Sequence, residues 1–174
     1  MAIFQLPAAA TSSVPNWTLL STSTPSGVTS VTFSGLSGYS KYRIVSSSIA
    51  FVSATTTSLY LTINGNTTSS NYGTNYFYST TTPVLTTAAG TNPGITLMFI
   101  NNSINATALF FKCEIDNALV LTPKSVTGFN SNNTTRFSTQ IEGVVAIASA
   151  ITSITIATDA GNFSTGSIYL LGAN

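Results

Sequence analysis

The residues able to do chemistry are few, and most of them stand in two short rows. Phe111-Lys112-Cys113-Glu114-Ile115-Asp116 alternates strictly between apolar and charged positions, the period-2 pattern of a strand, so Lys112, Glu114 and Asp116 share one face. Lys41 and Arg43 are placed likewise around Tyr42 and Ile44. Five of the nine charged side chains, 5 basic and 4 acidic in all, therefore lie in two ordered rows. Side chains two apart on a strand are about 6 to 7 Å apart at their bases. That spacing is compatible with the carboxylate pair of a glycoside hydrolase or with two ligands of a calcium ion. Acid catalysis also needs a carboxyl that keeps its proton near neutral pH, and nothing around Glu114 or Asp116 supplies a reason for that. Pairing of Glu114 and Asp116 with Lys41 and Arg43, across strands or between subunits, accounts for the same residues with less. No catalytic, cofactor-binding or metal-ligating role is assigned to any residue.

The remaining reactive groups narrow the chemistry further. The chain has no histidine, which excludes the usual zinc sites and His-based triads. Cys113 is the single cysteine, so no intramolecular disulfide can form. Its position between Phe111 and Ile115 predicts a buried, inert thiol. The glycosylation sequons Asn66-Thr67-Thr68 and Asn162-Phe163-Ser164 are expected by chance in so Asn- and Thr-rich a chain.

Composition sets the kind of scaffold that must hold these rows. A chain of 174 residues suits one domain with a sizeable core. Only 5% of residues are charged, against about 25% in an ordinary soluble domain. The 43% of hydrophobic and 10% of aromatic residues are enough for a core, so disorder is excluded. Ser, Thr and Asn take the surface positions that Lys and Glu normally fill. A net charge of +1 offers no footprint for nucleic acid or anionic lipid, and no run reaches the roughly 18 apolar residues of a membrane span. So uncharged a surface protects poorly against self-association, which favours a protein meant for an assembly.

The first fifteen residues lack periodicity and are punctuated by Pro7 and Pro15. No basic stretch precedes their short apolar run, so they read as mature sequence rather than a secretion signal. Residues 1–16 are expected to be an extended arm whose Ile3, Phe4, Leu6 and Val14 contact a neighbouring protein, and residues 17–174 a β-domain. Strands are predicted at Trp17–Thr22, Val28–Ser34 and Tyr39–Ser53, the last with a phase flip at Ser46–Ser48 that implies a bulge or a change of sheet. Leu59, Leu61 and Ile63 form the next strand, ending at Asn64-Gly65, a strong hairpin signal. Asn71–Ser79 is a tyrosine-rich strand, and Pro83–Pro93 is loop with at most a short strand. Ile95–Ile100 and Ala106–Ile115 read as a strand pair around Asn101–Asn105. Leu119–Leu121, Arg136–Ile147 and a terminal pair complete some nine to eleven short antiparallel strands. The predicted fold class is all-β, a single β-sandwich or jelly roll with an N-terminal arm. Its core should include Phe33, Ile44, Leu61, Phe99, Phe111, Ile154 and Leu170.

The C-terminal stretch is apolar on both faces, with Ile168 and Leu170 pointing one way and Tyr169 and Leu171 the other. This is the pattern of a strand inside a packed assembly. Thr29-Ser30-Val31-Thr32-Phe33 echoes Thr152-Ser153-Ile154-Thr155-Ile156, but shared strand demands account for five residues as well as a repeat does. With Lys41, Arg43, Glu114 and Asp116, the outward pair Tyr169 and Leu171 are the candidate subunit contacts.

Trp17-Thr18-Leu19-Leu20, Ser30-Val31-Thr32-Phe33-Ser34-Gly35, Tyr42-Arg43-Ile44, Leu61-Thr62-Ile63-Asn64-Gly65 and above all Asn162-Phe163-Ser164-Thr165-Gly166-Ser167-Ile168-Tyr169-Leu170 carry a resemblance. The chain resembles small virion proteins of tailed bacteriophages, and its ending is similar to the nFxxGSIYLYGI close of that group, with Leu171 in place of the second tyrosine. The order of its motifs is also similar to trimeric jelly rolls of the tumour-necrosis-factor and complement globular-head type. These resemblances imply a homotrimer, a structural role in a virion assembled in the host cytoplasm, and no cofactor. Three function classes follow: a capsid decoration or cement protein bound to the major capsid protein, a tail-fibre or receptor-binding module recognising host glycans, and a glycan depolymerase. Only about fifteen residues separate Met1 from the predicted domain, leaving no room for a shaft, and this favours decoration.

Overall fold

Period-2 alternation becomes two antiparallel sheets in a computed structural model of the chain, which describes residues 15–52, 57–79, 83–84, 93–100, 109–132 and 137–174. The strands are β1 (Thr18–Ser23), β2 (Ser30–Ser34), β3 (Lys41–Val52), β4 (Thr57–Ile63), β5 (Tyr72–Ser79), β6 (Pro83–Val84), β7 (Ile95–Ile100), β8 (Leu109–Asp116), β9 (Lys124–Asn132), β10 (Phe137–Val145), β11 (Ser153–Thr158) and β12 (Asn162–Ala173). Among the described residues the one helical segment is a 3-10 turn at Ser69–Asn71. The larger sheet has the order β1-β12-β3-β8-β9-β10-β5-β6 and the smaller β2-β11-β4-β7. The expected all-β sandwich is the observed architecture. Setting aside the two-residue β6, the strands among the described residues number eleven, the upper end of the expectation.

Apolar side chains on alternate positions of both sheets meet between the layers. Of the predicted core, Phe33, Ile44, Leu61, Phe111, Ile154 and Leu170 are 5% exposed or less, while the Phe99 side chain lies outside the described residues. The two echoing segments are neighbours: β2 and β11 pair with Phe33 opposite Ile154 and Thr32 opposite Thr155. The two threonine hydroxyls lie 2.9 Å apart. Similar sequences here reflect similar places in one sheet.

The phase flip in β3 is a bulge, and the strand stays in one sheet. Ser48 has φ +52°, and the register of β3 slips against β8 between Val45 and Ile49. Buried Ser46 turns its Oγ inward and accepts the Phe111 N–H at 2.8 Å, a donor the bulge would otherwise leave unpaired. Opposite the bulge, Gly166 (φ +106°) passes so close that a Cβ there would sit 2.6 Å from the Ser48 carbonyl oxygen. Only glycine fits.

Four expectations about connections are corrected. Ile95–Ile100 and Leu109–Asp116 do not pair with each other: β7 joins β4 in the small sheet, and β8 lies between β3 and β9 in the large one. Apolar alternation marks both strands but says nothing about which layer each enters. Asn64-Gly65 does form a tight turn, with φ +54° and +66° and the Asn66 N–H bonded to the Ile63 carbonyl at 3.0 Å, yet it is no hairpin. The chain crosses there from the small sheet to the large one. Leu119–Leu121 is not a strand but part of a turn, in which buried Lys124 donates from Nζ to the carbonyls of Val120 (2.6 Å) and Thr122 (2.5 Å). Finally, Lys124–Asn132 is a central strand that its sequence conceals. Its inward positions are Lys124, Val126, Gly128 and Asn130, only one of them a large apolar residue. Gly128 lies so close to β8 that a Cβ would meet the Lys112 carbonyl oxygen at 2.5 Å, and Asn130 donates across the layers to the Leu97 carbonyl at 2.6 Å.

Candidate functional site

Strand register assembles the charged rows into one surface. Across the outer face of the large sheet, Leu19, Leu171, Arg43, Glu114, Thr127 and Glu142 stand in successive pairs on β1, β12, β3, β8, β9 and β10. The next row reads Thr22, Tyr169, Val45, Lys112, Phe129 and Gln140. All six predicted subunit contacts, Lys41, Arg43, Glu114, Asp116, Tyr169 and Leu171, thus fall on three adjacent strands. The arm residues Ile3, Phe4, Leu6 and Val14 lie outside the described residues.

Five of the charges on this face, all those predicted to pair among them, are paired within the chain, the cross-strand form of the sequence expectation. Arg43 reaches Glu114 Oε1 through Nη2 at 2.7 Å and Nε at 2.9 Å. Lys112 reaches the same oxygen at 3.0 Å, and Lys41 pairs with Asp116 at 2.6 Å. The Arg43 guanidinium also lies 3.9 Å from the centre of the Trp17 ring, a cation–π contact that holds the start of the domain on this face. Partial burial pushes the Glu114 carboxyl up, but Lys112 and Arg43 outweigh it and hold the group below the usual carboxylate range. A carboxyl held down in this way is a poor general acid. Asp116 is tied to Lys41, and among the described residues no three His, Cys, Asp or Glu side chains gather to hold a metal. Burial pushes the Cys113 thiol up to about 12, with the Glu114 charge adding to it and a hydrogen bond to the Ile44 backbone opposing it. That thiol is inert at neutral pH.

Among the described residues, one concavity opens on this charged face and another at the edge of the sandwich. One, of about 350 Å³, lies over β8, β9 and β10 and is lined by Lys112, Glu114, Thr127, Phe129, Gln140 and Glu142. Phe129 is 44% exposed and packs its ring 5.5 Å from that of Phe110. The other, of about 440 Å³, opens between the edge strands β1 and β2 and is lined by Leu20, Phe33, Leu36, Tyr39 and Leu170 with serines and a threonine at its rim. Sequence reasoning missed Phe129, Gln140 and Glu142 as neighbours of Glu114 because it missed the strand between β8 and β10. Comparison of the chain with protein families, curated proteins and solved structures found no match.

Proposed function

We propose that this chain is a structural subunit of a bacteriophage virion, most simply a capsid decoration protein that binds the shell as a trimer through the outer face of its large sheet. The carrying observation is the pairing of Lys41, Arg43 and Lys112 with Glu114 and Asp116 inside one subunit. Paired charges present little uncompensated charge to an incoming partner, so burying them opposes association less than burying free ones would. Around them Leu19 (57% exposed), Phe129 and Val144 (55% exposed) offer apolar contact area. The resemblance of the C-terminal strand to small phage virion proteins supports the same reading. The test is reconstitution: purified protein is added to particles lacking it, and occupancy is read from an electron cryomicroscopy map. Density with three-fold symmetry on the shell is expected. Protein that stays monomeric and does not bind particles overturns the proposal.

A second reading, a fibre-type module that binds host glycans, is favoured by the concavity over β9. Phe129 offers an aromatic face to sugar C–H groups, while Gln140, Glu142 and Thr127 offer hydrogen-bond partners for hydroxyls. Binding of host-surface polysaccharide that is lost in Phe129→Ala, without loss of particle attachment, would favour this reading over decoration.

A further inference from the structure

The cleft between β1 and β2 has the shape and chemistry of a socket for an added strand. β1 ends the large sheet and β2 the small one, and among the described strands neither has a neighbour on its outer side. Among the described residues both therefore present an edge without a strand partner, the usual template for strand addition. The cleft is lined half by apolar side chains, Leu20, Phe33, Leu36, Tyr39 and Leu170, of which Phe33 and Leu170 are buried, and half by serines, a threonine and a glycine. An extended peptide suits such a site: its backbone pairs along the edge and every second side chain enters the cleft.

We infer that this socket takes Ile3-Phe4-Gln5-Leu6 from the N-terminal segment of a second copy of the chain. The inference rests on the reading that the chain self-assembles. Phe4 and Leu6 are two apart, so as a strand they face one side together. No charged side chain occurs before Lys41, so none in the segment opposes its burial. Pro7 has no N–H to donate, which ends strand pairing just after Leu6. The nine residues 7–15 begin and end with proline and, if extended, span roughly 28 Å at about 3.1 Å per residue. β1 is 6 residues long, about 20 Å, so such a connector reaches past its own edge strand. The Trp17 ring over Arg43 fixes the chain on the outer face, on the other side of β1 from the cleft. Each copy would give one segment and receive one. Such a head-to-tail contact closes into a ring when the rotation permits, and three copies make the trimer.

The test is a full-length Phe4→Cys, Leu36→Cys double variant oxidised with oxidised glutathione, with each single variant as control. A disulfide requires the two Cα atoms to come within about 7 Å, and Cys113 is buried and stays silent. Linked oligomers on a non-reducing gel in the double variant alone, fading on dilution before oxidation, are the expected result. A link formed within one chain, or no link in the folded double variant, overturns the inference. Should the double variant fail to fold, full-length Phe4→Asp decides. Self-association weakened about tenfold or more with an unchanged melting temperature supports the socket, as expected for a lost anchor, and unchanged association overturns it. Particle binding is scored separately, so the virion reading and the socket can fail independently.

Discussion

Arg43 and Glu114 stand directly opposite each other on β3 and β8, and two guanidinium nitrogens converge on one carboxylate oxygen, Oε1, at 2.7 and 2.9 Å. Lys112 reaches the same oxygen, so a single atom takes donors from two cations while Asp116 takes Lys41. With Glu142 on the same face, three basic and three acidic side chains balance there. Six of the nine charged side chains of the chain thus stand on the face proposed for assembly.

Arg43→Ala should remove the ion pair and the Trp17 stack together. The pair is partly exposed, so its contribution is at most about 1 kcal/mol, and the cation–π contact adds about 0.5 to 1 kcal/mol. Urea unfolding should show a loss of roughly 1 to 2 kcal/mol. Because Trp17 is the one tryptophan in the chain, its fluorescence reports the contact directly, and an unchanged emission spectrum would mean that the stack does not form in solution.

Stability should fall at high pH. The Cys113 thiol is raised from 9.0 to about 12, and burial also raises the phenols of Tyr42 and Tyr72 above 10.0. In each case the folded state holds its proton longer than the unfolded chain. The stabilisation is therefore complete below the unfolded value and is lost as pH rises from about 9 towards 12. For Cys113 alone, the rise corresponds to something on the order of 4 kcal/mol. Burial lowers the Lys124 pKa, an opposite effect that is relieved as pH approaches 10.5. At the acid end, the lowered Glu114 pKa predicts a modest loss as pH falls below 4.5. Melting temperatures from pH 3 to 11 should trace both limbs, and Cys113→Ala should flatten the alkaline one.

The strands of this protein are written in its alternation, but their partners are not. Ile154, Leu61 and Phe111 announce core positions because a strand with one face against a core needs a large apolar residue at every second place. Strand β9 does not, because its inward places hold Gly128, chosen for closeness to β8, and Asn130, chosen for a bond across the layers to Leu97. Asn64-Gly65 is legible as a turn and illegible as a crossing between sheets, since the dihedral angles are those of a hairpin and only the distant strands decide where the chain goes next. The pairing of Arg43 with Glu114 could be expected from two charged rows. The place of Phe129 and Glu142 beside them could not, as it depends on β9 lying between β8 and β10.

Asn64 makes that crossing, and Asn64→Ala should be among the more damaging single changes. Its Oδ1 accepts N–H groups from Thr152 (2.7 Å) and Ser153 (3.1 Å), and its Nδ2 donates to the Ala150 carbonyl (2.8 Å), so one side chain fixes the entry to β11. Alanine would lose these three bonds and those with the Ser149 and Thr152 hydroxyls, and would also have to adopt φ +54°. A loss of about 2 to 4 kcal/mol is expected. Denaturant unfolding measures it, and a loss below about 1 kcal/mol would mean that water replaces these bonds without penalty.

Leu19, Leu171 and Tyr169 separate stability from assembly. Leu19 is 57% exposed on edge strand β1 and pairs with Leu171, which in turn sits opposite Arg43. In an isolated subunit, Leu19→Lys removes little buried area and should change the unfolding free energy by no more than about 0.5 kcal/mol. If this face is buried in a trimer, the same substitution places an unpaired charge inside an interface. Association should then weaken by roughly 2 kcal/mol or more, about thirtyfold. Tyr169→Ala and Leu171→Ala probe the half-buried neighbours, where some loss of subunit stability should accompany the loss of association. Sedimentation over a concentration series, set beside melting temperature, distinguishes the two effects. Three variants that associate as the parent chain does would mean that copies do not meet through the outer face, leaving that face only its proposed contact with the shell.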